Sequence, residues 1–480
     1  MSDLQRSFLK SKLSKLPPVP PFSEADETDD FPELGPIGAH ASTSRTPDAS
    51  TPSIALSQRV RRRQQAEDFS PRSAEGFFEQ ALEVDVALST GSASFRTYYT
   101  PPRPKKAPQQ PVRSSFRPSI TAPASLHNLD INVNTPSLPT LKPGVGLPND
   151  DADADEEDHP ATSSAQTSPN PGTLFVFHHG AGFSALSYAL VAAEITKSSG
   201  GEVGVLAYDC RGHGRTRMHN VPTNPLDMSI DVLSSDLLAL LSTLYPKVEE
   251  MPSLVLVGHS MGGSVVVSAA HALSAQGFNR IAGVAVLDVV EGTAMDALSV
   301  MRSVVLGHPS GFASVEDAIW WHVDSKTIAN LESARISVPP LIETNPAFVP
   351  SESSTAPDEE PQEVLDEPVT APSSAAQHAY KWRADLLATE PFWPSWFRGL
   401  SSRFLTVRTA RLLLLAGTDR LDRELMIGQM QGKYQLEVIA DVGHSLQEDA
   451  PQRTAQILLD FWRRNERISL LVRVKKVGEA

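Results

Sequence analysis

A serine between two glycines stands at a sharp junction in this sequence. Residues 254–267 read LVLVGHSMGGSVVV, so Ser260 follows an apolar, strand-forming run and precedes a stretch typical of a helix. This G-x-S-x-G pattern predicts a strained strand-to-helix turn that holds the hydroxyl at a helix N-terminus, where backbone N–H groups favour negative charge. A tight turn with an incidental serine is the alternative, but the flanking strand and helix favour a nucleophile for acyl transfer.

Such a nucleophile needs backbone donors for the oxyanion that forms when it attacks an acyl group. The stretch 179–182 (HGAG) directly follows the apolar run 173–177 (TLFVF), which is where one donor is expected. We predict the N–H groups of Ala181 and Met261 as the two donors, with Gly182 as the second choice in the loop. Alternatively, the stretch is only a glycine-rich turn.

His444 is the predicted general base. It lies in the segment VGHS, after the apolar run 436–439 and before a final amphipathic stretch at 453–464. A lone loop histidine is usually inert, but of the 13 histidines only this one has the chain position expected after both serine and acid.

The acid that orients the histidine has more than one candidate. Asp419 and Asp422 follow the strand-like run 412–416, and Asp288 closes the run 284–287. Either strand end can bring a carboxylate to the far side of the imidazole, and the pattern alone favours Asp422 over Asp288. An aspartate at a strand end is also a common turn residue.

The elements that must position these groups alternate between strand and helix. Strand-length apolar runs lie at 173–177, 203–208, 254–257, 284–287, 412–416 and 436–439, and helix-like stretches at 185–196, 229–244, 264–275 and 453–464. Continuous apolar strands alternating with helices predict an α/β fold whose mostly parallel sheet is covered on both faces. Residues 69–100 are expected to add edge strands. The Trp-rich region 293–404 is predicted as a helical lid, its tryptophans lining a cleft or forming the lid core.

Three tracts rich in Pro, Ser, Thr or acidic residues divide the chain: residues 1–65, 101–170 and 339–378. They carry too little apolar surface to offset the entropy of ordering, so we expect disorder there. The catalytic domain is therefore predicted at 66–480, interrupted by the insertion 101–170 and by the acidic tract within the lid.

The charge and cysteine content of the chain limit the kinds of binding partner and the cellular compartment that are expected. The 57 acidic side chains exceed the 42 basic ones, giving a net charge of −15 that disfavours nucleic acid. The single cysteine fits a reducing compartment, and no secretory signal or membrane span is expected. We therefore expect an intracellular, cytoplasmic protein. The basic run at 59–63 is more typical of a solvated flank, and the alternative is a nuclear-import signal. No cofactor or metal is expected, because His178 and His179 are adjacent and point apart.

Several stretches together resemble one family, the protein phosphatase methylesterases, intracellular serine hydrolases of the α/β-hydrolase fold. The matching stretches are LVLVGHSMGG at 254–263, DVVEGTAMD at 288–296, NLESARIS at 330–337, WFRGLS at 396–401, LLLLAGTDRLDRELMIGQMQG at 412–432 and GHSLQEDAP at 443–451. GHSMGG recurs in many hydrolases, whereas DVVEGTAMD and IGQMQG are more particular.

The resemblance implies an esterase that removes the methyl ester from the C-terminal leucine of the phosphatase 2A catalytic subunit and releases methanol. It also implies that the triad acid is Asp288, with Asp422 a structural or pocket residue. The phosphatase would be both substrate and binding partner, and its docking is a candidate trigger for assembling the triad. Where the family tends to have H-G-G-G, this chain has Ala181, which would be strained if that position needed a positive φ.

Two other functions remain open on the sequence. One is a generic carboxylesterase acting on small esters, which the particular motifs disfavour. The other is a phosphatase-binding scaffold that keeps the hydrolase fold without activity, which the intact serine, histidine and acid disfavour.

Overall fold

The computed structural model describes residues 68–104, 171–222, 226–348, 378–417 and 421–471, with side chains up to residue 466. The tract at 1–65, the insertion from residue 105 onward, most of the acidic tract and Asp419 lie outside these ranges. The expectations for them stay predictions.

A twisted sheet forms the centre of the described chain. Its order is β1-β2-β4-β3-β6-β7-β10-β11, with β5 paired to β2. The strands from β4 to β11 along this path are parallel, whereas β1, β2 and β5 pair antiparallel at one edge. The eleven described strands are β1 Gln80–Leu88, β2 Gly91–Thr100, β3 Thr173–His178, β4 Val203–Tyr208, β5 Arg217–His219, β6 Ser253–His259, β7 Ile281–Leu287, β8 Ile342–Thr344, β9 Tyr380–Trp382, β10 Arg411–Leu415 and β11 Gln435–Val438.

Helices cover both faces of the sheet. The eleven described α-helices are α1 Ala189–Ser199, α2 Ile230–Leu244, α3 Met261–Ala275, α4 Glu291–Leu306, α5 Val315–Asp324, α6 Leu331–Ser337, α7 Trp393–Phe397, α8 Leu400–Thr406, α9 Arg423–Met430, α10 Leu446–Asp449 and α11 Pro451–Leu471. Short 3₁₀ turns add Ala185–Tyr188, Val248–Glu250, Pro339–Leu341 and Leu387–Phe392. None of the described helices is both long and apolar enough to cross a bilayer.

The central strands β3, β4, β6, β7 and β10 are largely apolar because both of their faces are buried. Along β3, Leu174 and Val176 belong to the buried cluster that also contains residues of α2, α3, α7 and α8, whereas Phe175 and Phe177 belong to the cluster that contains residues of α1 and α11. Successive strand residues point to opposite faces, so a run such as TLFVF fills two cores at once. The predicted doubly covered α/β sheet is what the structure shows.

We call the region between β7 and β10 the inserted segment (residues 291–406). Two of its parts pack in different places. Its α5, α6, β8 and β9 enclose a separate apolar cluster that includes Phe312, Ile319 and Ile328, with Trp321 and Trp382 packed against it. Its α7 and α8 instead join the main core, where Trp396 is fully buried and its Nε1–H donates to the Met228 carbonyl at 2.8 Å. Trp396 is thus a core residue, not a cleft-lining one.

The start of the acidic tract needs a correction. Residues 339–348, predicted as part of the disordered stretch 339–378, begin with a 3₁₀ turn and the strand β8, which pairs with β9. Leu341 and Ile342 are buried, and Ile342 belongs to the cluster of the inserted segment, so these residues do have apolar surface to bury. Composition therefore predicts the start of the disordered stretch too early in the chain.

Candidate active site

The turn at Ser260 has the strained geometry that the sequence predicts. Ser260 lies between β6 and α3 with φ 53° and ψ −122°, and its N–H donates to the Leu287 carbonyl at 3.0 Å. A Cβ atom on Gly258 would lie 2.1 Å from the Gly262 carbonyl oxygen, and one on Gly262 would lie 2.3 Å from the His178 carbonyl oxygen. Side chains at these two positions would therefore prevent strand and helix from meeting at so short a turn.

Asp288 and His444 meet beside this turn. Asp288 follows β7 with φ 49°, and its Oδ2 accepts a hydrogen bond of 2.8 Å from Nδ1 of His444. Its Oδ1 accepts from the Ala416 N–H at 2.9 Å, which fixes the carboxylate to the end of β10. The Asp288 side chain is fully buried, whereas that of His444 is 29% exposed. Because the carboxylate holds Nδ1–H, the Nε2 atom of His444 is the one free to take a proton.

Ser260 and His444 share no hydrogen bond in the described structure. His444 packs its ring against that of His259, the residue before Ser260, with centroids 4.7 Å apart. The described residues show no hydrogen bond between the Ser260 hydroxyl and His444, so only the acid–base half of the triad is closed. Catalytic hydrogen bonds in unliganded enzymes are often long and tighten only with substrate.

Asp422 has other partners. Its carboxylate caps α9 by accepting from the Leu425 N–H at 2.9 Å, and it also accepts from the Ser401 hydroxyl at 2.6 Å. The neighbouring Glu291 accepts from the N–H groups of Gly399 and Ser401 at 2.7 and 3.1 Å. The sequence pattern that placed Asp422 ahead of Asp288 was misleading, because the helix after β10 uses its aspartate as a cap.

The two predicted oxyanion donors have free N–H groups. Within the described chain, neither the Ala181 nor the Met261 N–H donates to another residue, as expected for a turn residue and for the first residue of a helix. Gly182 differs, because its N–H donates to Nε2 of His213 at 2.9 Å. The positive φ of this loop, 80°, also falls on Gly182, so alanine at 181 carries no backbone strain.

His213 is a buried residue that sequence reasoning missed. Its Nδ1 lies 3.0 Å from the Arg211 carbonyl oxygen and donates to it, which leaves Nε2 as the acceptor for Gly182. Burial lowers the pKa of His213, and the neutral ring can play both parts. The run DCRGHGR at 209–215, glycine-rich and charged after a buried strand, was the available signal.

The segment after His444 is tied to the inserted segment. Oε2 of Glu448 accepts from the hydroxyls of Ser333 and Ser337 at 2.9 and 2.5 Å. The carboxylate of Asp449 accepts from the Ala329 N–H at 2.7 Å and from the Gly443 N–H at 2.8 Å. Glu448 is fully buried, and burial raises its pKa to about 8. Sequence reasoning missed both acids, although each lies in the motif GHSLQEDAP.

The histidines considered for a metal are engaged elsewhere. Nε2 of His179 accepts from the Cys210 N–H at 3.0 Å, and Nδ1 of His178 contacts the His179 carbonyl oxygen at 2.9 Å. Burial lowers the pKa of His178 to about 4 and that of His179 well below its usual value. Both rings therefore serve as neutral hydrogen-bonding groups inside the core.

Fold and site together define a class. Residues 175–457 match the model of the alpha/beta hydrolase family, and the strained serine turn, the acid after β7 and the histidine after β11 have the arrangement of that class. A solved E-2-(acetamidomethylene)succinate hydrolase is 17% identical, with a TM-score of 0.44 over 60% of this chain and 91% of that one.

Relatives with a higher sequence identity than this solved structure share a single name. A protein of Cryptococcus neoformans var. neoformans serotype D (strain JEC21) called protein phosphatase methylesterase 1 is 43% identical over 412 residues, which is 86% of this chain and 82% of that protein. A protein of the same name from Emericella nidulans is 46% identical over 317 residues, 64% of this chain and 71% of that protein. The chain belongs to the protein phosphatase methylesterase family and is a carboxylic ester hydrolase.

Proposed function

We propose that this chain removes the methyl ester from the C-terminal leucine of the phosphatase 2A catalytic subunit, with Ser260, His444 and Asp288 as its triad. The observation that carries the triad is the 2.8 Å hydrogen bond between Nδ1 of His444 and Asp288, formed beside a strained serine turn. The name of the relatives and the family motifs support the substrate.

The reaction uses the groups in two half-reactions. Nε2 of His444 takes the Ser260 proton as Oγ attacks the ester carbonyl, and the Ala181 and Met261 N–H groups stabilise the oxyanion. When the tetrahedral intermediate collapses, the C–O bond to methoxide breaks and His444 returns the proton, so methanol leaves. Water then attacks the acyl-serine with His444 as base, which frees the leucine carboxylate and restores the serine. Asp288 holds the imidazole and stabilises its charged form.

Binding of the phosphatase completes the missing contact between Ser260 and His444. This extends the observation that the acid–base half is already closed, whereas the serine–base half is open. The proposal places the enzyme inside the cell, in the cytoplasm, with the nucleus as the alternative location.

The test is methanol release from carboxymethylated phosphatase 2A. Ser260→Ala should abolish turnover, and Asp288→Asn should lower kcat by about 10⁴-fold, because the imidazole loses the partner that fixes its tautomer. Asp422→Asn is the matched control: asparagine still caps a helix, so kcat should stay within about threefold.

The outcome separates the alternatives. If wild type hydrolyses small esters but leaves the methylated phosphatase untouched, the chain is a general esterase and the proposed substrate is wrong. If Ser260→Ala retains ester hydrolysis, the nucleophile is wrong.

A further inference from the structure

The imidazole of His259 lies between the loop that follows β3 (residues 179–183) and the loop that carries His444. It is fully buried, with ring centroids 4.7 Å from His444 and 5.4 Å from Phe183. A Cβ atom on Gly180 would lie 2.9 Å from its Nδ1, so the glycine at 180 leaves the room that this ring occupies. The His259 ring therefore contacts both the loop that presents the Ala181 N–H and the ring of His444. The backbone of His259 is bonded directly to Ser260.

The hydrogen bond of this ring goes to the backbone of the base. Nε2 of His259 lies 2.8 Å from the carbonyl oxygen of His444. Because a carbonyl only accepts, Nε2 must carry the hydrogen and donate. Nδ1 then carries none, and it has no partner among the described residues. The tautomer of His259 is thus fixed by one contact with His444.

The ring also stays neutral. Burial, and next the charge of nearby His444, lower the pKa of His259 to about 3. The donor tautomer is therefore kept across the neutral range in which a histidine base works, and His259 does not compete with His444 for the charge of Asp288.

His444 is consequently held at three points. Asp288 holds Nδ1, the Nε2–H of His259 holds the main-chain carbonyl, and the His259 ring packs against the imidazole. An apolar ring at position 259 would fill the same space but would leave the His444 carbonyl without this donor.

We propose that His259 is a positioning residue: its Nε2–H fixes the backbone of His444 relative to Ser260, so that the base meets the serine hydroxyl in the geometry needed for proton transfer. His259 does not itself touch substrate. The inference rests on the proposed roles of Ser260 and His444 and adds the group that sets the distance between them. It is independent of which ester is the natural substrate.

Three substitutions separate the donor from the ring. In His259→Gln the amide nitrogen is as many bonds from Cα as the imidazole Nε2, so it can donate to the same carbonyl. In His259→Asn the amide stops at the Nδ1 position, and His259→Phe keeps a ring without a donor. Each is assayed in the full chain for p-nitrophenyl acetate hydrolysis and for the rate of fluorophosphonate labelling, with thermal unfolding as the check on folding.

We expect Asn and Phe to lower kcat and the labelling rate about tenfold or more, with KM within about twofold, since one oriented hydrogen bond is lost. Gln should stay within about threefold of wild type. Equal loss in Gln and Asn, or full activity in Phe, overturns the proposal; if Phe does not fold, the Gln and Asn pair decides. Ser260→Ala in the same assays separates failure of the triad, in which labelling persists, from failure of this inference alone.

Discussion

The two loops on either side of Ser260 are held in different ways. The oxyanion loop (residues 179–183) is anchored inside the sheet framework, with Gly182 on His213 and His179 on Cys210. The base loop (residues 441–449) is held by the sheet at His444, through Asp288 and His259, and in addition by the inserted segment, where Glu448 and Asp449 bond to residues 329–337. The hydrogen bonds of the first loop thus stay within the sheet framework, whereas the second loop divides its hydrogen bonds between that framework and the inserted segment.

This difference gives the inserted segment a chemical role. A segment that only covers a site would make apolar contacts with it. The inserted segment also donates hydrogen bonds, from two serine hydroxyls to Glu448 and from a backbone N–H to Asp449, next to His444. A partner that moves α6 would therefore strain the hydrogen bonds that Glu448 and Asp449 make with the inserted segment, and no hydrogen bond of Gly182 or His179 would be affected. The comparison can be tested by releasing each loop separately.

The largest effect is expected on the oxyanion side. His213→Phe removes the acceptor for Gly182, so the loop that presents the Ala181 N–H loosens and kcat should fall about tenfold to 100-fold with KM unchanged. Losing one oxyanion donor outright costs about 10²- to 10³-fold, which sets the upper bound. The measurement is steady-state hydrolysis of a small ester.

The controls for this prediction are matched. His213→Gln restores an acceptor at the Nε2 position and should recover most of the activity. His271→Phe also removes a ring that bonds a carbonyl, that of Arg403, but away from the site, and should leave kcat unchanged. Equal losses at 213 and 271 would mean that stability alone is being measured.

A smaller effect is expected on the base side. Asp449→Ala frees the N–H groups of Gly443 and Ala329, so kcat should fall about fivefold, as for a weakened orientation of His444. Hydrogen exchange should quicken in residues 326–337 and 441–449 together. His213→Phe should leave exchange in residues 326–337 unchanged; if it does not, the two loops are not anchored independently and the comparison fails.

The smallest expected effect is a change in how the thermal stability of the protein depends on pH. Glu448 has a pKa of about 8 in the folded chain against an ordinary value of 4.5, so the folded state holds its proton more tightly. That preference stabilises the fold at low pH and is lost as the pH rises from about 4.5 to 8. Glu448→Gln removes this slope, so wild type should lose its advantage in Tm over the variant between pH 5 and pH 8.

The matched control is Glu424→Gln, since Glu424 is exposed. Its Tm difference from wild type should stay flat over the same range. A flat difference for Glu448→Gln as well would show that the buried carboxyl does not keep its proton in the folded protein.

The sequence was sufficient to predict the parallel strands of the sheet and the helices between them. Six apolar runs form parallel strands, and five of these are largely buried on both faces. The G-x-S-x-G pattern marks a turn in which glycine is needed at 258 and 262 for close approach to α3 and to the end of β3. The order serine, acid, histidine placed His444. These signals are local or follow from chain order, which a single sequence contains.

The contacts between distant segments were not predictable in the same way. Asp288 and Asp422 both follow core strands, and only the folded chain shows that one meets His444 at 2.8 Å and the other caps α9. The links from Glu448 to Ser333 and from His259 to His444 span more than 100 residues. No periodicity marks such pairs, because they depend on how segments far apart in the chain pack against each other in the folded protein.

The backbone at Ser260 and Asp288 has a consequence for the evolution of this chain. Only five described residues other than glycine have a positive φ, and these two, at 53° and 49°, are proposed to carry the chemistry. Left-handed backbone at a side-chain-bearing residue costs of order 1 kcal/mol or more, which glycine would relieve. A laboratory selection for heat resistance that ignored turnover would therefore favour glycine at position 260, and its products would lack the proposed nucleophile. Aspartate would persist at position 288, because its carboxylate makes two buried hydrogen bonds that glycine would lose.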